Sequence, residues 1–133
     1  VNVDTCKHAI LQANFNAKNL GLCNQVKSIN ANWFHNDWIK EIKRDLSGSK
    51  FKKKFDLIVC NPPYIKSANL AKLQVEVRNF DPRLALDGGA DGCDSYRAIF
   101  QNVKQLLSKN GIIVVENKMN IKRLKLKKTI FLK

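Results

Sequence analysis

The residues Asn61-Pro62-Pro63-Tyr64 follow directly on the run Phe55-Asp56-Leu57-Ile58-Val59-Cys60, and together they can orient a planar NH2 group. The proline after Asn61 biases that residue toward an extended conformation, and two consecutive prolines stiffen the loop while removing two backbone donors. What remains is a rigid edge rich in acceptors. The side-chain oxygen of Asn61 and the carbonyl of Pro62 can both accept from one NH2 group, while the ring of Tyr64 can stack on its conjugated plane. Such an edge suits a carboxamide or an exocyclic amine. The nitrogen of either is a poor nucleophile because its lone pair is delocalised. Holding both hydrogens while a methyl sulfonium lies in line favours attack through positioning and electrostatics. Neither a metal nor a catalytic nucleophile is required. The plain alternative for the same four letters is a polar loop stiffened by proline. A buried strand that delivers the motif to a sheet edge favours the chemical reading.

The surrounding pattern supplies such a strand. Phe55–Cys60 is a nearly continuous apolar run of the kind buried on both faces of a parallel sheet. Residues 1–4 read as the end of a strand, because the chain opens on an alternating apolar pattern. Cys6, Ala9, Ile10, Ala13, Ala17 and Leu20 recur at helical spacing, with Asp4 or Thr5 placed to cap the helix and Gly21 to end it. Residues 25–29 read as a short strand, and residues 36–54 hold a short helix and a Gly-Ser-Lys loop. Asp94-Ser95 can cap a helix running through about Ser108, with Ile99, Phe100, Val103, Leu106 and Leu107 as its apolar stripe. Asn110-Gly111 would end it, and residues 112–116 form a further buried strand. Strands alternating with helices predict an α/β fold whose parallel sheet is wound by right-handed crossovers. Ligands of such sheets bind at the carboxyl ends of the strands, where Asp4, Asn32 and the Asn61 to Tyr64 motif all fall.

Bulk properties narrow the function classes. The chain of 133 residues carries 24 Lys and Arg against 11 Asp and Glu, a formal charge of +13. That balance raises the question of a nucleic-acid partner. The charges are spread along most of the chain, however, and abundant Lys, Asn and Ile is also what an AT-rich coding sequence produces. The four cysteines, Cys6, Cys23, Cys60 and Cys93, never form a C-x-x-C pair, so neither a zinc ribbon nor a redox dithiol is signalled. They are expected to be reduced and mostly buried. No apolar stretch approaches the roughly 20 residues needed to span a bilayer, and no signal peptide opens the chain, so a cytoplasmic location is expected. Asp87-Gly88-Gly89-Ala90-Asp91-Gly92 fails as a calcium loop, because the third and twelfth ligand positions counted from Asp87 are Gly89 and Ala98. Residues 117–133 are rich in Lys and contain neither Asp nor Glu. They read as a basic amphipathic helix or edge strand, or as a stretch that has lost its original pattern.

The motif and its context resemble the glutamine N5-methyltransferases that modify the Gly-Gly-Gln motif of peptide chain release factors, within the class I methyltransferases. Val3-Asp4 and the Ala-rich helix look like that family's second strand and its acidic end. Asn32-Trp33-Phe34 looks like its Asp-Trp-Phe, and residues 55–65 look like its strand and motif loop. Glu76-Val77-Arg78-Asn79-Phe80-Asp81-Pro82, Ala85-Leu86, Gly88-Gly89 and Asp91-Gly92 resemble the stretch after the motif, and residues 111–116 the next strand. The resemblance covers roughly residues 1–116 and implies a partial Rossmann-like domain there, followed by a divergent basic tail over residues 117–133.

It also implies S-adenosylmethionine as cofactor, with Asp4 on the ribose hydroxyls and Asn32 and Trp33 at the adenine end. Asp4 serves equally well as a helix cap. Asn61 and Pro62 would take the substrate amide, Pro63 would shape the loop, and Tyr64 would flank the amide. Asn61 also borders the cofactor. Glu76 and Arg78 would form a supporting ion pair.

Two departures stand out. The family's Gly-rich cofactor loop and its first strand would precede Val1, and Glu116-Asn117-Lys118 replaces the Glu, small residue and Gly of the family pattern. The chain is therefore expected to be a fragment that is inactive by itself. The expected partner is a release factor, and a separate N-terminal chain that completes the enzyme is a second. An N6-adenine methyltransferase acting on DNA or RNA is the enzymatic alternative, and a non-catalytic basic nucleic-acid-binding module is the other.

Overall fold

The computed structural model describes residues 1–51, 53–116 and 129–132. They form two compact units, Val1–Lys53 and Lys54–Lys133, each with its own small parallel sheet. The architecture is α/β.

In the first unit, strand β1 (Asn2–Asp4) pairs in parallel with β2 (Ser28–Asn30), Asp4 standing opposite Asn30. Helix α1 (Lys7–Asn19) makes the crossover between them, ending at Leu20 and Gly21, whose φ of 68° is the left-handed geometry expected of a glycine stop. Only Ala17 of α1 is buried, and Leu11 and Phe15 are exposed. Helix α2 (Trp38–Asp45) is held more firmly. Trp38, Ile39, Ile42 and Leu46 fall on one face and are all buried, forming the core of this unit with Ile29 and Ala31.

In the second unit, β3 (Phe55–Cys60) pairs in parallel with β4 (Leu107–Glu116), and β4 pairs in parallel with β5 (Thr129–Leu132). Between β3 and β4 the chain passes through a 3-10 turn (Ser67–Lys72) and helices α3 (Val75–Phe80), α4 (Arg83–Leu86) and α5 (Asp94–Asn102). Gly111 is buried against β3, where an added Cβ would meet the Phe55 carbonyl oxygen at 2.5 Å, so only glycine allows the two strands this approach. The core gathers Tyr96 and Ile99 of α5, Val103 and Leu106 beyond it, and Ile113 and Val115 of β4.

Several expectations need correction. The helix expected to reach Ser108 ends at Asn102, passes through a 3-10 turn (Val103–Gln105), and gives way to β4 at Leu107. Pairing with Phe55 captures Leu107 as strand despite its helical spacing. The β3 strand is not buried on both faces. Leu57 and Val59 are 53% and 70% exposed, because β3 stands at the edge of its sheet and only the face carrying Ile58 and Cys60 is covered. The cysteines are not mostly buried either: Cys6 and Cys23 are exposed, Cys60 and Cys93 are partly so, and all four are free thiols. Of the alternatives for the basic tail, residues 129–132 adopt the edge strand, whereas residues 117–128 and 133 lie outside the described residues. Among the described residues no helix is long and apolar enough to cross a membrane.

Candidate active site

The motif Asn61-Pro62-Pro63-Tyr64 leaves the carboxyl end of β3, where parallel strands present their free carbonyls and following loops to a ligand. Pro62 is fully buried and anchors the loop, while Asn61 is exposed. Among the described residues neither the Asn61 side chain nor the Pro62 carbonyl has a hydrogen-bond partner. Two acceptors thus remain open beside the half-buried Tyr64. Beneath the loop, Tyr96 is fully buried and donates its hydroxyl to the Glu116 carbonyl at 2.8 Å, tying α5 to the end of β4. Burial, together with the neighbouring Tyr64 and Cys60, pushes the Tyr96 phenol far above its ordinary range. Burial likewise pushes the Cys60 thiol up to about 11, so it stays protonated at neutral pH and offers no thiolate to compete as nucleophile.

Immediately after Tyr64 the chain is fastened to the segment Leu86 to Gly88. Ile65 bridges to Asp87, the Ile65 amide donates to Leu86, and the Gly88 amide returns a bond to the Ile65 carbonyl. The Asp87 carboxylate accepts from the Ser67 hydroxyl at 2.6 Å, the Gly89 amide at 3.0 Å and the Arg83 guanidinium at 3.1 Å. The Ser67 hydrogen bond, followed by that of the Gly89 amide, holds the Asp87 carboxyl below the usual carboxylate range. Further on, Arg97 of α5 binds Asp91 and Asp94. Sequence reasoning weighed Asp87 only as the start of a calcium loop and missed this role, since its partner Ser67 lies 20 residues away. The expected pair of Glu76 and Arg78 does not form. Arg78 donates instead to the Ala71 carbonyl at 3.2 Å and to Asn79.

In the other unit, Asp4 and Asn32 stand at the carboxyl ends of β1 and β2. One Asp4 oxygen accepts the Cys6 amide at 2.7 Å, and its second oxygen carries no bond from the described residues. Asn30, which the sequence did not single out, donates to the Asp4 and Thr5 carbonyls at 2.9 Å each and fixes this corner. Asn32 accepts the Phe34 amide through its side-chain oxygen at 3.0 Å. The buried indole N–H of Trp33 has no partner among the described residues. The open Asp4 oxygen and the Asn32 amide are polar groups of a kind that suits ribose hydroxyls and a base edge, whereas the Trp33 indole nitrogen is covered by the protein itself. Asp4 is not the helix cap expected for it: the capping position of α1 is Cys6, and the Asp4 carboxylate binds the Cys6 amide ahead of the first turn. Asn61 to Tyr64 belong to the second unit and are brought together there.

The family model described as "Eco57I restriction-modification methylase" matches residues 3–130. The chain belongs to that methylase family. It is therefore a class I methyltransferase domain. A release factor glutamine methyltransferase of Agrobacterium fabrum is 38% identical over 116 residues, 87% of this chain and 35% of that protein. One from Bradyrhizobium diazoefficiens is 56% identical over 62 residues, 47% of this chain and 21% of that protein. A bifunctional methyltransferase of Rickettsia prowazekii is 34% identical over 116 residues, 87% of this chain and 20% of that protein. The chain thus spans about a fifth to about a third of the length of these relatives. No solved structure matches it.

Proposed function

We propose that this domain holds the carboxamide of a protein glutamine for methylation at nitrogen by S-adenosylmethionine, in a peptide chain release factor. The observation that carries this reading is the pair of open acceptors, the Asn61 side chain and the Pro62 carbonyl, fixed at the carboxyl end of β3 beside Tyr64. The Asn61 and Pro62 oxygens each take one amide hydrogen. Tyr64 lies against the amide plane, and Pro63 keeps the loop from yielding. Pinning both hydrogens fixes the direction of the nitrogen lone pair and stabilises positive charge that develops there. Cofactor, when bound, supplies the electrophilic methyl group. Asp4 would hold its ribose hydroxyls through the free carboxylate oxygen, with Asn32 and Trp33 at the adenine.

The relatives named as release factor glutamine methyltransferases support the glutamine substrate, as does the likeness of Asn79-Phe80-Asp81-Pro82 to the stretch after the motif in that family. A partial Rossmann-like sheet arrangement is part of the same proposal, as is the inactivity of residues 1–133 by themselves. The latter is supported by the exposed apolar groups Leu11, Phe15, Leu57 and Val59, at 65%, 57%, 53% and 70%, which suit cover by further protein. Residues 1–133 alone should therefore show no S-adenosylmethionine binding by calorimetry, and tight binding would contradict this part.

The second reading, transfer to the N6 amine of adenine, is favoured by the restriction-modification description of the family and by the +13 charge. Adenine presents the same conjugated NH2. The test is to supply S-adenosylmethionine with a tritiated methyl to the gene product carrying these residues together with its upstream coding sequence. Label in a release factor supports the glutamine reading, and label in adenine-containing DNA replaces it with the second.

A further inference from the structure

The two prolines stiffen the Asn61 to Tyr64 loop and buried Pro62 anchors it, but the loop lies outside regular structure and two of its four residues lack an amide hydrogen to pair, so its Tyr64 end needs bracing from elsewhere. The bracing comes from the segment Leu86 to Gly92. Gly88 is buried face to face with the motif: a Cβ added there would lie 2.8 Å from the Tyr64 Cα and 2.9 Å from both the Cα and carbonyl oxygen of Gly92. All three are backbone atoms, which cannot swing aside as a side-chain tip would. On one side of this contact the Ile65 and Gly88 backbones are paired, and on the other the Ser67 amide donates to the Gly89 carbonyl at 3.0 Å. Asp87 binds both flanks at once, its Oδ1 taking the Ser67 hydroxyl and the Gly89 amide and its Oδ2 taking Arg83.

From this geometry we infer that Asp87 and Gly88 are positioning residues for the amide site: a carboxylate clamp and a side-chain-free contact that together fix the Tyr64 backbone. The inference rests on the reading of Asn61 to Tyr64 as the NH2-binding edge. Asp87 is 21% exposed in its side chain and touches none of the motif's own polar atoms. Its effect on the motif is transmitted through Ser67, Ile65 and Gly88.

The chain contains two tyrosines, Tyr64 and Tyr96, so protein labelled with 3-fluorotyrosine gives two fluorine resonances, one from the motif and one from the core beneath it. Asp87→Ala is expected to shift and broaden the Tyr64 line toward the position of free fluorotyrosine while leaving the Tyr96 line in place. Asp87→Asn keeps an acceptor oxygen for Ser67 and Gly89 and is expected to restore most of the original shift. Gly88→Ala should displace the Tyr64 line without removing any hydrogen-bonding group. A Tyr64 line unchanged in Asp87→Ala overturns the inference, as does an equal shift of both lines in a folded variant. If Asp87→Ala fails to fold, Ser67→Ala decides by the same reading, since it opens the clamp from the opposite side. This result stands apart from the methylation assay: an unlabelled release factor would refute the glutamine reading and leave the fluorine spectra unaffected.

Discussion

The corner that carries Asp4 and the loop that carries Asn61, to which the proposed function gives comparable tasks, stand on very different supports. Strand β1 is three residues long and exposed throughout, and α1 buries a single alanine. The motif loop, by contrast, grows from a six-residue strand paired to a ten-residue partner, rests above the buried Tyr96, and is clamped by Asp87 and Gly88. The difference teaches where this domain stores its order. An amide must be held to a fraction of an ångström for its lone pair to point at a methyl group, so the acceptors for it are braced within their own unit. Hydroxyl and base contacts tolerate more movement, and the residues for them are fixed by a few backbone bonds.

That contrast can be broken by substitution. The largest effect is expected from Ile113→Ala, which empties a fully buried position of β4 and should cost about 2–5 kcal/mol in urea unfolding of the second unit. Tyr96→Phe removes the bond to the Glu116 carbonyl and should cost about 1 kcal/mol by the same measurement.

Acid acts on the clamp next. The Asp87 carboxyl is depressed in the folded chain, so its contribution is complete above the pKa of an unfolded aspartate and is lost as pH falls through the lower folded value. The protection factors of the Ser67 and Gly89 amides, exchange rates corrected for their intrinsic pH dependence, should fall in that acid range and hold steady near neutrality. Unchanged protection down to the acid limit would show that the backbone pairing of Ile65 and Gly88 suffices alone. The smallest effect is expected from Val3→Ala in β1, within about 0.5 kcal/mol, because Val3 is 38% exposed. A loss as large as that of Ile113→Ala would erase the proposed contrast between the two supports.

Sequence made the central parts legible for identifiable reasons. Phe55–Cys60 is an apolar run closed by two prolines, so both the strand and the point where it ends are dictated locally. Trp38, Ile39 and Ile42 carry a helical spacing that α2 obeys. The start of β4 was hidden because Leu107 continues a helical stripe and Asn110-Gly111 looks like a helix stop. Pairing with Phe55, a contact 52 residues away, overrides both signals. The exposure of Leu57 and Val59 was hidden for a related reason: an apolar strand is the same string of letters whether one face is covered or two. Within the site, the acceptors could be named from the motif alone, whereas the clamp could not. Asp87 and Ser67 become neighbours only through the turn that brings α4 back to the loop.

The most direct test of the central claim is methyl transfer to a release factor glutamine by the gene product carrying these residues, compared between the natural sequence and Asn61→Ala. If Asn61 holds the amide, the variant should lose about 100-fold or more in kcat while its thermal unfolding stays within a few degrees of the natural protein. Undiminished transfer by Asn61→Ala would contradict the account.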